Sequence, residues 1–312
     1  DVNFKLNILC EIGATIYYLE DRKIMIKTCS ISTGNIENGY GIRTTILLLP
    51  RLLVRFKKCR VPVPTGDKIG PRSHDMHINA LSLMGVSFNI NDDFIEASCD
   101  QLVGIDYTFR QKSVGATQNI IIAAILANGQ TRLYNCAQEP EIVFLCNMLT
   151  KLGAQIQGIG TSNIIIEGNN GLLNNKEIHK FDIIPDRLQI GTYMMLPFFV
   201  QSKIYIYHKS MNNIINGLYI PLFERLGAKF TLYNNDLLAC EYSVQKPLDM
   251  FEIKTEPFPG FSTDLHPLLC AVLSLRAKTG IIHETIYENR FQYAEELIKG
   301  GAKLSYNKNT II

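Results

Sequence analysis

Several sequence features that assign a function directly are absent from this chain. There is no tryptophan, and the eight cysteines stand singly without a CxxC pair. Single cysteines argue against a zinc site and a disulfide framework, and they fit a reducing compartment. The six histidines show no HExxH spacing, so no metal site is expected. Neither GxGxxG after a strand nor GxxxxGKS/T occurs, so no dinucleotide cofactor or P-loop is predicted.

Long apolar runs and a surplus of one charge are also missing. No run is long enough to cross a bilayer, and the first residues have no signal-peptide character. The net charge is only +2, because 31 basic and 29 acidic side chains are mixed along the chain. We therefore expect no membrane and no nucleic-acid partner. With 46% hydrophobic residues, the chain can form one large or two medium cores, and a cytoplasmic globular protein is predicted.

What the sequence does contain is a repeat. Five segments share an amphipathic stretch, a glycine usually followed by alanine, and two alternating segments around a polar turn. A glycine after the last helical turn closes the helix in a left-handed conformation, and the alternation predicts a hairpin. The glycines recur every 68 to 74 residues, at Gly13, Gly85, Gly153, Gly227 and Gly301.

A second, almost wholly apolar helix type lies between these hairpins. Its four copies begin TTILLLP, ATQNIII, IGTYMML and DLHPLLC. Helices that are apolar all round must be buried, so we predict an α/β fold of repeated βαβαββ units, an inside-out α/β barrel with two similar lobes. The proline in HKFDIIPDR indicates a boundary between a first lobe, residues 1–184, and a second lobe, residues 185–312.

Four segments are candidates for chemistry, and each also has a plain structural interpretation. The polar segment 61–78 is a functional loop or an ordinary solvated loop whose Asp67 shapes a turn. Ser113, Val114 and Gly115 open a buried helix, and they either hold a phosphate oxygen or supply a serine cap. Asp264 is a general base or a helix cap. Arg43 and Arg290 are anion clamps or surface arginines.

These segments together resemble one known family. KSVGATQNIIIAAILANGQ, IIPDRLQIGTY, TEPFPGFSTDL and ETIYENRF occur in the order found in the UDP-N-acetylglucosamine enolpyruvyl (1-carboxyvinyl) transferases. The resemblance implies transfer of the enolpyruvyl group of phosphoenolpyruvate to the 3′-hydroxyl of UDP-N-acetylglucosamine, the first committed step of peptidoglycan synthesis. It also implies a role in the cell wall and in cell shape, with no cofactor. We expect a monomer.

The resemblance also implies roles for individual residues. Arg72 matches the arginine that contacts phosphoenolpyruvate, and Asp264 matches the aspartate that acts on the 3′-hydroxyl. Most members carry a cysteine where this chain has Asp67; an aspartic acid can deliver the same proton but is not alkylated like a thiolate. The remaining substrate-binding residues are predicted to be Arg43, Ser73, His74, Asp75, Met76, Gln111, Lys112, Ser113, Val114, Gly115, Ile286 and Arg290.

Some positions depart from the family pattern. Thr65 replaces a loop glycine and Gln111 replaces a lysine, while Gln189 and Ile190 replace an acidic residue and a threonine. The family's N-terminal Lys-Asn pair and C-terminal arginines have no counterpart, so efficient turnover is not expected from these residues alone. Two alternatives stay open: a non-catalytic relic that binds a nucleotide sugar, and 5-enolpyruvylshikimate-3-phosphate synthase, which shares the fold and the donor.

Overall fold

A computed structural model of the chain resolves into two compact units. It describes residues 2–20, 23–39, 41–66, 74–171, 180–200, 202–209, 211–214, 219–242 and 247–312. The first unit consists of the described residues of 1–66, 74–138 and 142–180, and the second of those of 139–141 and 181–312. Each unit has its own cluster of buried apolar side chains. Among the described residues, no helix has both the length and the apolar character that a bilayer crossing requires.

The first unit opens with a helix and an antiparallel hairpin. They are α1 (Val2–Glu11), β1 (Thr15–Glu20) and β2 (Lys23–Lys27). A 3-10 helix (Arg43–Leu48) then leads into the second set of elements, α2 (Leu49–Phe56), β3 (Lys58–Pro62), α3 (Asp75–Leu83), β4 (Ser87–Ile90) and β5 (Phe94–Ser98). The three strands form an antiparallel sheet in the order β3-β5-β4.

One complete βαβαββ succession follows in the chain. Its elements are β6 (Asp106–Thr108), α4 (Val114–Leu126), β7 (Gln130–Tyr134), α5 (Pro140–Lys151), β8 (Gln155–Gln157) and β9 (Ile164–Glu167). The sheet order is β6-β7-β9-β8. The first pair is parallel because α4 crosses over between its strands, and the other pairs are antiparallel.

The second unit contains two further three-stranded sheets. The first part of the unit contains α6 (Arg187–Met195), α7 (Pro197–Val200), β10 (Ile204–Tyr207), a 3-10 helix (Met211–Asn213), α8 (Ile220–Arg225), β11 (Ala228–Tyr233) and β12 (Leu237–Tyr242). Its three strands form an antiparallel sheet in the order β10-β12-β11. The second sheet, β13-β14-β15, has a parallel first pair; its elements are β13 (Leu248–Lys254), α9 (His266–Arg276), β14 (Ala277–His283), α10 (Ala294–Lys299) and β15 (Thr310–Ile311).

The predicted repeat glycines are confirmed as left-handed helix ends. All five have φ between +96° and +104°, a region that costs little only for glycine. The first four are followed by the predicted hairpins, β1–β2, β4–β5, β8–β9 and β11–β12. In the fifth copy the hairpin is reduced to a single antiparallel bridge between Tyr306 and Ile311, and Ile311 is part of β15.

The apolar helices are buried less uniformly than the sequence predicts. In α4, nine of thirteen residues are buried. In α2, by contrast, Arg51 and Arg55 are exposed, in α6 Tyr193 is 53% exposed, and in α9 Leu275 is 55% exposed. Burial all round is therefore wrong for these three helices. The stretch before α2 is a 3-10 helix, because Pro50 has no N–H to donate to the preceding turn. The α/β class with mixed sheets is confirmed.

Candidate active site

The start of α4 carries the segment predicted to bind a diphosphate. Ser113 is extended (φ −140°, ψ 116°), and its hydroxyl accepts a hydrogen bond from the N–H of Ala116 at 3.3 Å. The serine-cap interpretation is therefore confirmed. Before the cap, the exposed Gln111 is followed by Lys112, whose Nζ donates to Oε1 of Gln138 at 3.0 Å. Residues 111–115 thus lie together at a helix N-terminus, where unpaired backbone donors attract anions.

The end of segment 61–78 forms the first turns of α3 and is only partly exposed. His74 precedes the helix and Asp75 begins it. The expectation that the polar residues of this segment are not buried is wrong for His77, which is 6% exposed and contacts Asn119 of α4. The neighbouring Met76, also 6% exposed, packs in the core of the first unit. Asp67, Arg72 and Ser73 lie outside the described residues.

His77 connects α3 to the start of α4. Its Nδ1 lies 3.0 Å from Nδ2 of Asn119, a donor, so Nδ1 accepts and the neutral ring carries its proton on Nε2. A methyl group placed on Gly115 would meet the same ring at 3.6 Å. His77 was counted within the polar segment 61–78 but was not selected from the sequence as a site residue, because its contact with Asn119 depends on the packing of α3 on α4.

Arg43 supplies positive charge to this region. It begins the 3-10 helix that packs against α4. Burial, and secondly the charge of Arg43, lower the pKa of His74. Burial lowers the pKa of His77 to about 4, with smaller contributions from Arg43 and His74. His77 is therefore neutral near pH 7. Arg110 is already paired with Asp75, at 3.1 Å. The structure thus gathers Arg43, His74, Asp75 and the 111–115 segment within the first unit.

In the second unit, the predicted aspartate and arginine are in direct contact. Oδ1 of Asp264 accepts a hydrogen bond from Nη2 of Arg290 at 2.7 Å. The Arg290 side chain is 13% exposed, whereas the Asp264 side chain is 50% exposed. The cap interpretation of Asp264 is wrong, because the residue before α9 is Leu265 and no side chain caps this helix.

A buried carboxylate that the sequence interpretation did not select lies beside this pair. Glu284 is 3% exposed. Its Oε2 accepts from the Thr263 hydroxyl at 2.8 Å, and its Oε1 accepts from the backbone N–H groups of Ile286 and Tyr287 at 2.7 and 2.9 Å. Glu284 thereby joins the residue before Asp264 to the predicted substrate contact Ile286.

A buried histidine extends the cluster around Glu284. Nδ1 of His266 lies 3.0 Å from the Tyr293 hydroxyl, and Nε2 lies 3.4 Å from Oε2 of Glu284, outside hydrogen-bond geometry. Burial and the charge of Arg290 lower the pKa of His266 to about 3, so the ring is neutral. Among the described residues, no group of three or more His, Cys, Asp or Glu is placed to hold a metal ion.

Proteins with known names match the chain over its whole length. UDP-N-acetylglucosamine 1-carboxyvinyltransferase from Rickettsia felis is 37% identical over 322 residues, covering 100% of this chain and 74% of the relative. The protein of the same name from Rickettsia akari is 38% identical over 326 residues, with the same coverage. The one from Campylobacter hominis is 33% identical over 309 residues, covering 98% of this chain and 72% of the relative.

Solved structures share the fold at lower sequence identity. The enolpyruvyl transferase NikO from Streptomyces tendae superposes with a TM-score of 0.84 at 18% identity, covering 99% of this chain and 72% of that one. An EPSP synthase from Acinetobacter baumannii gives a TM-score of 0.65 at 17% identity, covering 99% and 73%. Residues 1–312 also match the family described as EPSP synthase (3-phosphoshikimate 1-carboxyvinyltransferase). The chain therefore belongs to this family of carboxyvinyl transferases.

Proposed function

We propose that this protein transfers the enolpyruvyl group of phosphoenolpyruvate to the 3′-hydroxyl of UDP-N-acetylglucosamine. The observation that carries the proposal is the identity of 33–38% with curated relatives of that name over almost the whole chain. The hydroxyl oxygen adds to C2 of the enolpyruvyl group while a proton adds to C3. Loss of phosphate from C2 and of a proton from C3 then restores the double bond. The product is a precursor of peptidoglycan, so the enzyme serves cell-wall synthesis.

Asp264 is the group we assign to the acceptor hydroxyl. A carboxylate close to a reacting alcohol can accept its proton, and half of this side chain stays accessible to a ligand. Arg290 holds one oxygen of Asp264 at 2.7 Å, which fixes the direction of the carboxylate. The neighbouring Ile286 is assigned to the nucleotide sugar. The Asp264–Arg290 pair supports this assignment because it combines a proton acceptor with a cation for anionic substrates.

The residues at the start of α4 are assigned to the diphosphate of the sugar nucleotide. Gln111, Lys112, Ser113, Val114 and Gly115 surround a helix N-terminus, where backbone N–H groups and the helix dipole favour negative charge. Arg43, near His74 and His77, adds a positive charge in the same unit.

The remaining assignments rest on the sequence resemblance. Asp67 is proposed as the proton donor to C3 and Arg72 as a ligand of phosphoenolpyruvate. Residues 72–76 are proposed to contact the nucleotide sugar. We also propose the inside-out barrel arrangement, with lobes dividing between residues 184 and 185, and a cytoplasmic monomer without cofactor, membrane or nucleic-acid partner.

An assay of phosphate release tests the proposed function. The full-length protein is mixed with phosphoenolpyruvate and either UDP-N-acetylglucosamine or shikimate 3-phosphate. We expect release only with the sugar nucleotide, and a loss of at least about tenfold in kcat for Asp264→Asn, since a positioned general base contributes about 10² to 10⁴. The exposed Asp249→Asn serves as the matched control and should keep full activity.

Each alternative predicts a different result in this assay. Release with shikimate 3-phosphate alone would identify the sister activity. Binding of UDP-N-acetylglucosamine by calorimetry without any release would identify a relic. Either result would overturn the proposal.

A further inference from the structure

We infer that Glu284 is a positioning residue for the transfer reaction, acting on both the base and the sugar-nucleotide contact. The inference rests on the proposed function of the Asp264–Arg290 pair. It is drawn from the two separate connections that the Glu284 carboxylate makes, one through each oxygen. Glu284 does not itself reach the substrate, because its side chain is fully buried.

The first connection runs through Oε2 to the segment that carries the base. The hydroxyl of Thr263 donates to Oε2 at 2.8 Å, and Thr263 immediately precedes Asp264. Thr263 is itself buried, at 9% exposure, which favours the bond of its hydroxyl to Glu284 over a bond to solvent. This bond fixes the backbone from which Asp264 projects. Arg290 then fixes the carboxylate of Asp264 from the other side.

The second connection runs through Oε1 to the loop after β14. Backbone N–H groups of Ile286 and Tyr287 both donate to this oxygen, at 2.7 and 2.9 Å. Two donors on one carboxylate oxygen hold the turn in a single conformation. The same loop continues to Arg290, so Oε1 orders both the assigned sugar-nucleotide contact and the cation.

The surroundings of Glu284 explain why one residue can order two segments. The Thr263 hydroxyl and two peptide N–H groups donate to it, and the ring of His266 lies beside Oε2 at 3.4 Å. Arg290 lies close enough to His266 to lower the pKa of that ring. A buried carboxylate with donors to both oxygens has a well-defined orientation, because any rotation would leave a donor unpaired.

The two connections are separable by substitution. Glu284→Gln keeps an oxygen for the N–H groups of Ile286 and Tyr287 but removes the charged acceptor of Thr263, whose hydroxyl could then only accept from the amide NH2. Thr263→Val removes the Thr263 hydroxyl alone. Glu284→Ala removes both connections. A matched control is Thr131→Val in the first unit, which also removes the hydroxyl of a fully buried threonine.

We expect these variants to change kcat and KM to different extents in steady-state assays of the full-length protein. Glu284→Gln and Thr263→Val should lower kcat by about tenfold or more, since small misplacements of a reacting group cost up to about 10², with the KM for UDP-N-acetylglucosamine changed less than about twofold. Glu284→Ala should lower kcat and also raise this KM about tenfold, because the loop of Ile286 loses its anchor. Thr131→Val should change the Tm but neither kinetic constant.

The outcomes separate this inference from the proposed function. If the unsubstituted protein transfers no enolpyruvyl group, the proposed function fails and this inference fails with it. If it transfers the group and the Glu284 and Thr263 variants change only the Tm, as Thr131→Val does, the inference alone is overturned. A loss of kcat in Glu284→Ala without a higher KM would overturn the second connection.

Discussion

At the scale of single residues, Arg290 and Asp264 form a contact whose geometry is testable. The Arg290 side chain is 13% exposed, and its guanidinium donates to Asp264 at 2.7 Å. The shorter side chain of a lysine would not bring its ammonium group to the carboxylate in the same way. We expect Arg290→Lys to lower kcat by about tenfold, on the scale of about 1.4 kcal/mol of transition-state stabilisation. Steady-state phosphate release measures this change.

Arg132 provides the matched control for this substitution. It makes a half-exposed pair with Asp106 at 3.8 Å, and such surface pairs contribute little. Arg132→Lys should therefore leave kcat unchanged. Equal losses in both variants would contradict a specific role for Arg290.

Asp67 leads to a prediction about inhibition. Fosfomycin, the family's epoxide inhibitor, reacts with a cysteine thiolate, and the sequence resemblance assigns Asp67 to the position of that cysteine. We expect the full-length protein to keep its activity after incubation with fosfomycin, and Asp67→Cys to lose activity with time. Cys59→Ser in the Asp67→Cys background should not protect, because Cys59 is buried. Inactivation of the unsubstituted protein at modest inhibitor concentration would contradict the prediction.

His77 makes the stability of the first unit sensitive to acid. Burial lowers the pKa of His77 to about 4 in the folded state, below its ordinary value of about 6.5. The unfolded chain therefore binds the proton first, and stability present above about pH 6.5 is lost as the pH falls toward 4. At pH 5 the loss from this residue is about 2 kcal/mol.

Thermal unfolding of His77→Gln at several pH values measures this effect. The amide oxygen of glutamine can still accept from Asn119, but it does not titrate. The difference in Tm between the variant and the unsubstituted protein should shift in favour of the variant between pH 7.5 and 5. A pH-independent difference would show that His77 does not titrate on unfolding.

At the scale of elements, two adjacent glycines at the end of α10 differ in whether their backbone conformation requires glycine. Gly301 has φ +97°, whereas Gly300 has φ −73° and ψ −1°, which any residue can adopt. A side chain at Gly301 would meet no atom within 4 Å, so its cost is conformational alone. We expect Gly301→Ala to lower the free energy of unfolding by about 1 to 2 kcal/mol, the cost of a left-handed conformation.

Gly300→Ala is the control in the same turn. Its added methyl group would lie 3.3 Å from the carbonyl oxygen of Leu297, a tight contact that small movement relieves. The free energy of unfolding should change by no more than about 0.5 kcal/mol, because a glycine-to-alanine change also lowers the entropy of the unfolded chain. Denaturant titration of both variants checks the difference. A larger loss at Gly300 than at Gly301 would refute the explanation.

At the scale of the whole molecule, the two apolar clusters predict that core damage stays within one unit. Leu133 on β7 and Leu238 on β12 are both fully buried, each in the cluster of its own unit. Leu133→Ala and Leu238→Ala should each cost about 2 to 5 kcal/mol, the usual range for a leucine core deletion. Hydrogen exchange should show the loss of protection mainly in the sheets of the substituted unit. Equal losses in both units would mean that they unfold together.

Local patterns determined the elements of this protein, because helix ends and hairpins depend on neighbouring residues. Left-handed glycines, two-strand alternation and the Ser113 cap all act within a few residues, so the repeat was predictable before any contact was known. The order of the family segments indicated the same enzyme class that the comparisons support.

Only the tertiary structure decided which side chains meet. Asp264 was open to both a helix-cap and a general-base interpretation; the structure excludes the cap and pairs the carboxylate with Arg290, 26 residues away. Glu284 is one of two acids in ETIYENR, and its burial beside Thr263 distinguishes it from Glu288. His77 became a partner of Asn119 through the packing of α3 on α4. Contacts between distant segments depend on how helices and sheets pack, and that packing leaves no signal in the spacing of neighbouring residues.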